Sequence, residues 1–393
     1  MDDRNIVIFG AGKIGRSFIG QLFGKAGYEV VFVDMDLSLV TQLNQRKQYP
    51  VIIKGPNFEE KLVIENVRSI HALKRNEVIN AISHAGIMAV SVGKTALPKI
   101  AQVLAEGLMV REKEYSGRGL DIILAENMRS ADLYFRERLR EELPASYPLD
   151  DLVGLVETSI GKMVPIMTST DLEEDSLQVF AEPYNMLILD RKGFRSEIPE
   201  ITEFSLKDNM KAWVDRKAFI HNLGHATAAY FGHSIYPEST FMYEVLDDNK
   251  VYGFTKKVMR EAAHILMASY PGEFTKQGLS DHIDDLLMRF QNRNLGDTVF
   301  RVGSDLKRKL GKDDRFMGII RMAQMARLPY GKILEAMSLG FHFRGKDENG
   351  KMLAGDEDFH RALNDDRDRV LEDICGLTNE EDPVLTGQLK EYL

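Results

Sequence analysis

Short, mostly apolar runs recur along the first 160 residues, which is the pattern of strands buried in a parallel sheet. These runs occupy residues 5–9, 29–33, 86–93, 121–125 and 152–157. Two further runs, at residues 51–53 and 60–64, flank a Gly-Pro-Asn sequence and predict a β-hairpin that decorates the same domain. Another β-rich stretch is predicted around residues 177–189.

From about Ser205 onward the apolar residues recur at spacings of three and four, which is typical of amphipathic helices. The spacing is clearest in residues 251–266 and 283–290, and Phe316 begins another strongly apolar segment. The sequence therefore predicts an α/β domain over residues 1–204, with a β-rich extension, and a mostly α-helical domain over residues 205–393.

A glycine-rich turn, Gly10-Ala11-Gly12-Lys13-Ile14-Gly15, follows the first strand directly and opens a helix. In that context Gly10 would permit the tight turn, and Gly12 would let backbone N–H groups approach a pyrophosphate. Gly15 would let the helix pack closely on the strand. The N-terminal domain is thus predicted to be of the Rossmann type, with residues 10–15 as its dinucleotide-binding turn, Lys13 and Ile14 included.

The second strand ends at Asp34, 19 residues beyond Gly15. A carboxylate at this place can accept hydrogen bonds from both ribose hydroxyls and would repel a 2′-phosphate, so NAD is predicted rather than NADP. Gly93, at the exit of a later strand, is expected near the same cofactor. The alternative is a glycine-rich turn in a doubly wound fold that binds no dinucleotide.

Composition limits the other function classes. The 393 residues carry a net charge of −9, with a pI near 5.6, which argues against a nucleic acid or an anionic membrane as partner. A local basic pocket for a small anionic substrate remains compatible with a negative net charge. The single cysteine, Cys375, cannot form an internal disulfide, and no signal-like or long apolar segment occurs. We expect a soluble cytoplasmic protein.

The strongest catalytic candidate is a predicted helix over residues 215–225. At α-helical spacing, four polar side chains share an arc of about 140°; these are Lys217, His221, Asn222 and His225. A buried lysine loses its charge readily and can then accept a proton from an alcohol near neutral pH. The alternative is a solvated polar face beside a core helix. Asn127, after a predicted strand, is either a further site residue or a helix cap.

Five stretches in chain order resemble the polyol-specific long-chain dehydrogenase/reductase family; they are residues 9–20, 121–128, 214–226, 301–310 and 342–344. The first resembles the branch that acts on phosphorylated polyols. The resemblance implies a metal-independent, NAD-dependent oxidoreductase with a lysine as general acid/base. It further implies the interconversion of D-mannitol 1-phosphate and D-fructose 6-phosphate.

Carried over by position, Lys217 would be the acid/base, and Asn222 with Asn127 would hydrogen-bond the reacting oxygen. His225 would orient the substrate or the lysine. Cations in the matching region could hold a substrate phosphate; the candidates are Arg301, Arg308, Lys309 and Arg344.

Two positions depart from the family pattern. Gly161-Lys162 stands where an Asp-Arg pair is expected before Val-Pro, so that substrate contact is in doubt. Val214 stands where the free-polyol branch carries a glutamate suited to proton relay, which favours the phosphate branch.

Three alternatives remain open. A hexuronate reductase of the same family, acting on tagaturonate or fructuronate, would share Lys217. A non-catalytic NAD-binding protein would have no use for Lys217 with Asn222. A zinc hydrolase could use His221 and His225, but Asn222 occupies the place of the glutamate in H-E-x-x-H. For the oligomeric state, the resemblance favours a monomer, and a dimer is the alternative.

Overall fold

The computed structural model describes residues 4–378 and 380–393. Contacts between Cα atoms divide the chain into two compact units, one ending at Val214 and one beginning at Asp215. The first unit contains all the strands of the described residues and the second is helical.

The strands run as follows: β1 (Asn5–Phe9), β2 (Glu29–Asp34), β3 (Tyr49–Lys54), β4 (Glu59–Ile64), β5 (Val67–His71), β6 (Ile87–Val90), β7 (Leu120–Leu124), β8 (Val153–Ser159), β9 (Val179–Ala181), β10 (Leu187–Asp190) and β11 (Phe204–Lys207). Eight of them form one sheet in the order β11-β10-β8-β7-β6-β1-β2-β5, parallel except where β10 meets β8. The hairpin β3–β4 and the parallel strand β9 form a second, three-stranded sheet.

Helices up to the unit boundary are α1 (Gln21–Lys25), α2 (Leu37–Arg46), α3 (Arg75–Ser83), α4 (Leu97–Glu114), α5 (Ala131–Glu142), α6 (Leu149–Leu152), α7 (Ser169–Glu174) and α8 (Met210–Arg216). Short 3₁₀ turns lie at Lys94–Ala96, Arg191–Gly193 and Arg293–Leu295, and π-helical segments at Gly15–Gly20 and Lys217–Asn222.

The large sheet is buried on both faces, which explains why its central strands are mostly apolar. Ile6 and Ile8 of β1 pack in one core cluster, and Val7 and Phe9 in another. Because successive side chains of a strand point to opposite faces, a strand covered on both sides needs no polar position. The predicted Rossmann-type domain and the predicted hairpin are confirmed.

Two strands of the large sheet were missing from the sequence prediction, and both lie at its edges. β5 contains Arg68 and Ser69, and every residue of β11 is only half-buried. An edge strand faces solvent along one side, so its apolar pattern is weaker. Residues 204–207 are therefore strand rather than helix, and the predicted boundary after residue 204 falls inside β11.

The second unit contains α9 (Leu223–Ile235), α10 (Met242–Leu246), α11 (Asn249–Ser269), α12 (Lys276–Phe290), α13 (Val299–Gly303), α14 (Leu306–Lys309), α15 (Met317–Ala326), α16 (Gly331–Phe341), α17 (Ala354–Asp365), α18 (Arg367–Asp373) and α19 (Pro383–Tyr392). Helix α11 packs against α9, α12, α15 and α16. Its buried residues include Val251, Val258 and Ile265, so the spacing of three and four marks its core face. Within the described ranges, no helix has the length and apolarity needed to span a membrane.

Candidate active site

The glycine-rich turn adopts a backbone that only glycine fits well. Gly10 has φ of +95°, and a Cβ there would lie 2.4 Å from the carbonyl oxygen of Ser91. A Cβ on Gly15 would lie 1.9 Å from the carbonyl oxygen of Gly10. At Gly12, by contrast, no atom lies within 4 Å of the Cβ position. The turn is thus closed on the protein side and open at Gly12, which fits the approach of a pyrophosphate to its backbone.

A buried arginine that sequence reasoning missed supports this turn. Arg16, in the π-helical segment Gly15–Gly20, donates from Nε to the carbonyl oxygen of Ala11 (2.6 Å) and from Nη1 to that of Leu177 (2.6 Å). The Tyr49 hydroxyl donates to the backbone oxygen of Arg16. Burial lowers the pKa of Arg16. The guanidinium therefore ties the glycine turn to the strand-rich extension. The sequence feature that could have revealed this role is an arginine at the start of a mostly apolar helix.

Asp34 lies beside the same turn, because β2 pairs in parallel with β1 and both end there. Its Oδ2 accepts from the backbone N–H of Ala11 (2.7 Å) and its Oδ1 from that of Asp36 (2.9 Å). The carboxylate is thus oriented by two backbone donors before any ligand binds. Lys13 and Ile14, also predicted at the cofactor, follow Gly12 in the same turn.

Gly93 and Asn127 follow β6 and β7, whose carboxyl ends reach the same edge of the sheet. Gly93 has φ of +86°, and its N–H, like that of Val92, donates to the Glu126 carboxylate. Burial raises the pKa of Glu126, and the hydrogen bonds from the two backbone donors partly offset this rise. Helix α5 has Ser130 as its N-cap residue, and the role of Asn127 stays a prediction.

The helix predicted over residues 215–225 is interrupted by the π-helical segment Lys217–Asn222. The α-helical spacing assumed for its polar side chains therefore does not apply over this segment, because a π turn contains more residues than an α turn. That these side chains share one face stays a prediction. Such turns are rare and occur frequently at functional sites. Gly224 follows, and a Cβ there would lie 2.5 Å from the sulfur of Met259, so α9 approaches α11 closely.

Lys217 is half-buried, and its surroundings disfavour the charged amine. Burial, assisted by the charge of Arg315, lowers the pKa of Lys217 to about 8. Arg315 donates from Nη1 to the carbonyl oxygen of Asn222 (3.1 Å) and from Nε to Oδ1 of Asp314 (2.7 Å). The amine can therefore exchange a proton near neutral pH, and Arg315 is a second residue that sequence reasoning missed.

The two histidines beyond Lys217 are held among aromatic and charged neighbours. His225 stacks on Phe290 with ring centroids 4.3 Å apart, and its Nε2 lies 3.3 Å from Oδ2 of Asp297. Burial, together with the charge of Arg289, lowers the pKa of His221 well below its ordinary value. Burial also lowers the pKa of His225, and the nearby Asp297 partly offsets this decrease. Both imidazoles are therefore neutral at neutral pH.

Potential metal ligands do not cluster here. Among residues 4–378 and 380–393, no three or more His, Cys, Asp or Glu side chains are grouped so that they could hold a metal ion.

Two of the predicted phosphate ligands are linked through acidic residues to the segment that carries the candidate catalytic residues, 217–225. Arg301 donates from Nε to Oδ1 of Asp297 (2.5 Å), the carboxylate that also faces His225. Arg308 lies with Nη1 3.6 Å from Oδ2 of Asp314, which is also the partner of Arg315.

The other two predicted phosphate ligands, Lys309 and Arg344, contact backbone oxygens and a histidine. Lys309 is buried, and its ammonium donates to the carbonyl oxygens of Val302 (2.7 Å) and Ser304. Burial lowers the pKa of Lys309 to about 7. Arg344 contacts Nε2 of His360 (2.7 Å). The four predicted phosphate ligands thus have different partners.

Lys162, at a position that departs from the family pattern, is buried in the first unit. Its Nζ donates to Oδ1 of Asn185 (2.7 Å) and lies 5.1 Å from the ring centroid of Phe18. The side chain thus packs against the π-helical segment that follows the glycine turn.

Comparison with known proteins agrees with this architecture. A profile of the mannitol dehydrogenase Rossmann domain matches residues 4–203, and one of the mannitol dehydrogenase C-terminal domain matches residues 209–381. A mannitol-1-phosphate 5-dehydrogenase of Buchnera aphidicola subsp. Schizaphis graminum is 31% identical over 86% of both chains. One of Lactococcus lactis subsp. cremoris is 30% identical over 96% of this chain and 95% of its own.

Among solved structures, the Pseudomonas fluorescens mannitol 2-dehydrogenase, in ternary complex with NAD and D-mannitol, superposes with a TM-score of 0.76. The identity is 16%, over 99% of this chain and 91% of the other. The chain is therefore an oxidoreductase of the polyol dehydrogenase class. It belongs to the mannitol dehydrogenase family, which confirms the resemblance inferred from its motifs.

Proposed function

We propose that this polyol dehydrogenase interconverts D-mannitol 1-phosphate and D-fructose 6-phosphate, with NAD(H) as cofactor and Lys217 as general acid/base. The observation that carries the proposal is the amine of Lys217, whose pKa is lowered to about 8 within a π-helical segment. The names of the relatives at 31% and 30% identity support the phosphorylated substrate. No metal is required in this scheme, because the lysine itself takes the proton.

The cofactor proposal depends on the glycine turn. Gly12 leaves open the space that a pyrophosphate needs, and Asp34 stands beside the turn as the ribose acceptor. Lys13, Ile14 and Gly93 would line the same site. When bound, the nicotinamide supplies the hydride acceptor for polyol oxidation. A distant structural neighbour was solved with NAD, which is consistent with this choice.

The chain's own contribution to the reaction is proton transfer and charge stabilisation. In polyol oxidation, neutral Lys217 takes the proton of the reacting hydroxyl, and in ketose reduction its ammonium returns one. The Asn222 amide donates to the reacting oxygen as it gains alkoxide character, which stabilises charge without adding any. The role of Asn127 at the same oxygen stays a prediction, as do the monomeric state and the cytoplasmic location.

NADH is expected to be used at least about a hundredfold more efficiently than NADPH, because a carboxylate beside the 2′-phosphate costs several kcal/mol. Asp34→Asn keeps the hydrogen-bonding oxygen towards Ala11 but removes the charge, and it should narrow this preference. The measurement is kcat/KM for each cofactor. Asp36→Asn, a change in the same loop, is the matched control and should leave the preference intact. Equal use of both cofactors by the wild type would contradict the assignment.

A panel of ketoses reduced with NADH tests the substrate. D-Fructose 6-phosphate should give a higher kcat/KM than fructose, tagaturonate or fructuronate, because the proposed site is built for a phosphorylated polyol. A hexuronate that outperforms fructose 6-phosphate would replace the substrate and keep the family. Tight NADH binding without turnover of any of the four would instead favour a non-catalytic NAD-binding protein.

A further inference from the structure

His225 is held in one plane within the helical unit. Its ring lies parallel to Phe290 of α12, with an interplanar angle of 6° and centroids 4.3 Å apart. The ring of His221 meets it edge-on at 6.3 Å. Stacking fixes the plane of the imidazole but does not decide which ring nitrogen carries the proton. That decision needs a polar partner.

Asp297 is placed to be that partner. Its Oδ2 lies 3.3 Å from Nε2 of His225. The residue is 5% exposed, and its backbone oxygen accepts from the N–H of Met242 (2.9 Å). Its Oδ1 accepts from Nε of Arg301 (2.5 Å), which leaves Oδ2 directed at the histidine. Asp297 is thus buried and anchored through its backbone, and its two carboxylate oxygens face two different partners.

The charges around this pair determine its protonation. Burial alone would raise the pKa of Asp297, but His225 and Arg301 outweigh it and lower that pKa, so the carboxylate is ionised. Burial lowers the pKa of His225 despite Asp297, and the cations Arg301 and Lys309 act in the same direction. His221, the other titratable group beside the ring, is neutral for the same reason. A neutral imidazole that faces a carboxylate keeps its one proton on the nitrogen nearest the negative charge.

We propose that Asp297 is a positioning residue that holds His225 in the Nε2–H tautomer, so that Nδ1 is offered as a hydrogen-bond acceptor to a hydroxyl group of the polyol. This inference rests on the proposed function. An acceptor nitrogen suits a substrate rich in hydroxyl donors and is unsuited to a phosphate, so His225 contacts the polyol chain rather than its anionic end. Arg301 balances the carboxylate and keeps it from drawing a second proton onto the ring.

The tautomer can be measured without substrate. Long-range ¹H–¹⁵N correlation spectra distinguish protonated from unprotonated ring nitrogens, and His225→Ala identifies the signals of this ring. The wild type should show Nε2 protonated and Nδ1 bare. In Asp297→Asn the side-chain amide can donate as well as accept, so the ring should move to a mixture of both tautomers. Nδ1–H in the wild type, or an unchanged tautomer in Asp297→Asn, overturns the proposal.

The kinetic test is a double-mutant cycle. Asp297→Asn should lower kcat/KM for fructose 6-phosphate by about tenfold to a hundredfold, mostly through KM, with KM for NADH unchanged. In a His225→Ala background the same change should have no further effect on the reduction of fructose, which has no phosphate for Arg301 to bind, because Asp297 acts through the imidazole. Asp247→Asn is the matched control, since Asp247 also pairs with an arginine, Arg293, but on the surface.

A loss of fructose reduction on Asp297→Asn that persists in the His225→Ala background would show a purely structural role and overturn the proposal. A wild-type protein that reduces none of the ketoses, while Asp297→Asn still shifts the tautomer, would disprove the proposed function and leave the tautomer assignment standing. The two failures are therefore distinguishable.

Discussion

Lys217→Ala should lower kcat for fructose 6-phosphate reduction by a factor of about 10² to 10⁴, the usual contribution of a general acid or base. The amine is the group whose pKa, lowered by burial to about 8, allows proton exchange near neutral pH. NADH binding should change little, because Lys217 lies outside the glycine turn of residues 10–15. Steady-state kinetics and titration of NADH fluorescence measure the two effects separately. Lys211→Ala, which alters an exposed lysine of α8, is the matched control.

The pH dependence gives an independent check of the same lysine. Ketose reduction needs the ammonium form, so its kcat/KM should fall as pH rises through about 8. Polyol oxidation needs the neutral amine, so its kcat/KM should rise over the same range. Activity that is lost with EDTA and restored by zinc would contradict the lysine mechanism and favour a metal site.

Fructose 6-phosphate should be reduced with a specificity constant about a thousandfold higher than that of fructose. Two charge-assisted hydrogen bonds to the phosphate, each contributing about 1.5–3 kcal/mol, lower the barrier by roughly 4 kcal/mol, and each 1.36 kcal/mol is a factor of ten. Arg301 and Arg308 are the proposed donors, since both are linked by acidic residues to the catalytic segment. Replacing Arg308 by alanine should raise KM for fructose 6-phosphate and leave the weak activity on fructose nearly unchanged. Arg301→Ala should also raise KM for fructose 6-phosphate, but it should lower the activity on fructose as well, because Arg301 balances the charge of Asp297 beside His225.

Arg293→Ala is the control for these variants, because Arg293 is an exposed arginine of the same unit, paired with Asp247. It should alter neither substrate's kinetics. If fructose is reduced as efficiently as its phosphate, the phosphorylated substrate is wrong and the polyol dehydrogenase class is unaffected.

The sequence alone determined the order of an α/β domain followed by a helical one. Strands buried on both faces leave an unmistakable apolar run, and amphipathic helices such as α11 leave a period of three to four. It also located the glycine turn, because the Gly-x-Gly-x-x-Gly pattern lies directly between an apolar strand and a helix in the chain. These features depend on neighbours close in the chain, so local pattern suffices to find them.

Tertiary structure alone decided which partners surround the candidate site. Arg16 reaches a carbonyl oxygen 161 residues away, and Arg315 one 93 residues away, and neither pairing leaves a period in the sequence. The π-helical turn at Lys217–Asn222 and the pairing of His225 with Asp297 also depend on how helices pack. Lys309, a candidate phosphate ligand, donates to two backbone carbonyl oxygens, and its role at a phosphate stays a prediction. Residue identity can predict which chemistry is possible, but burial and long-range contacts set the pKa, the tautomer and the free donors on which that chemistry depends.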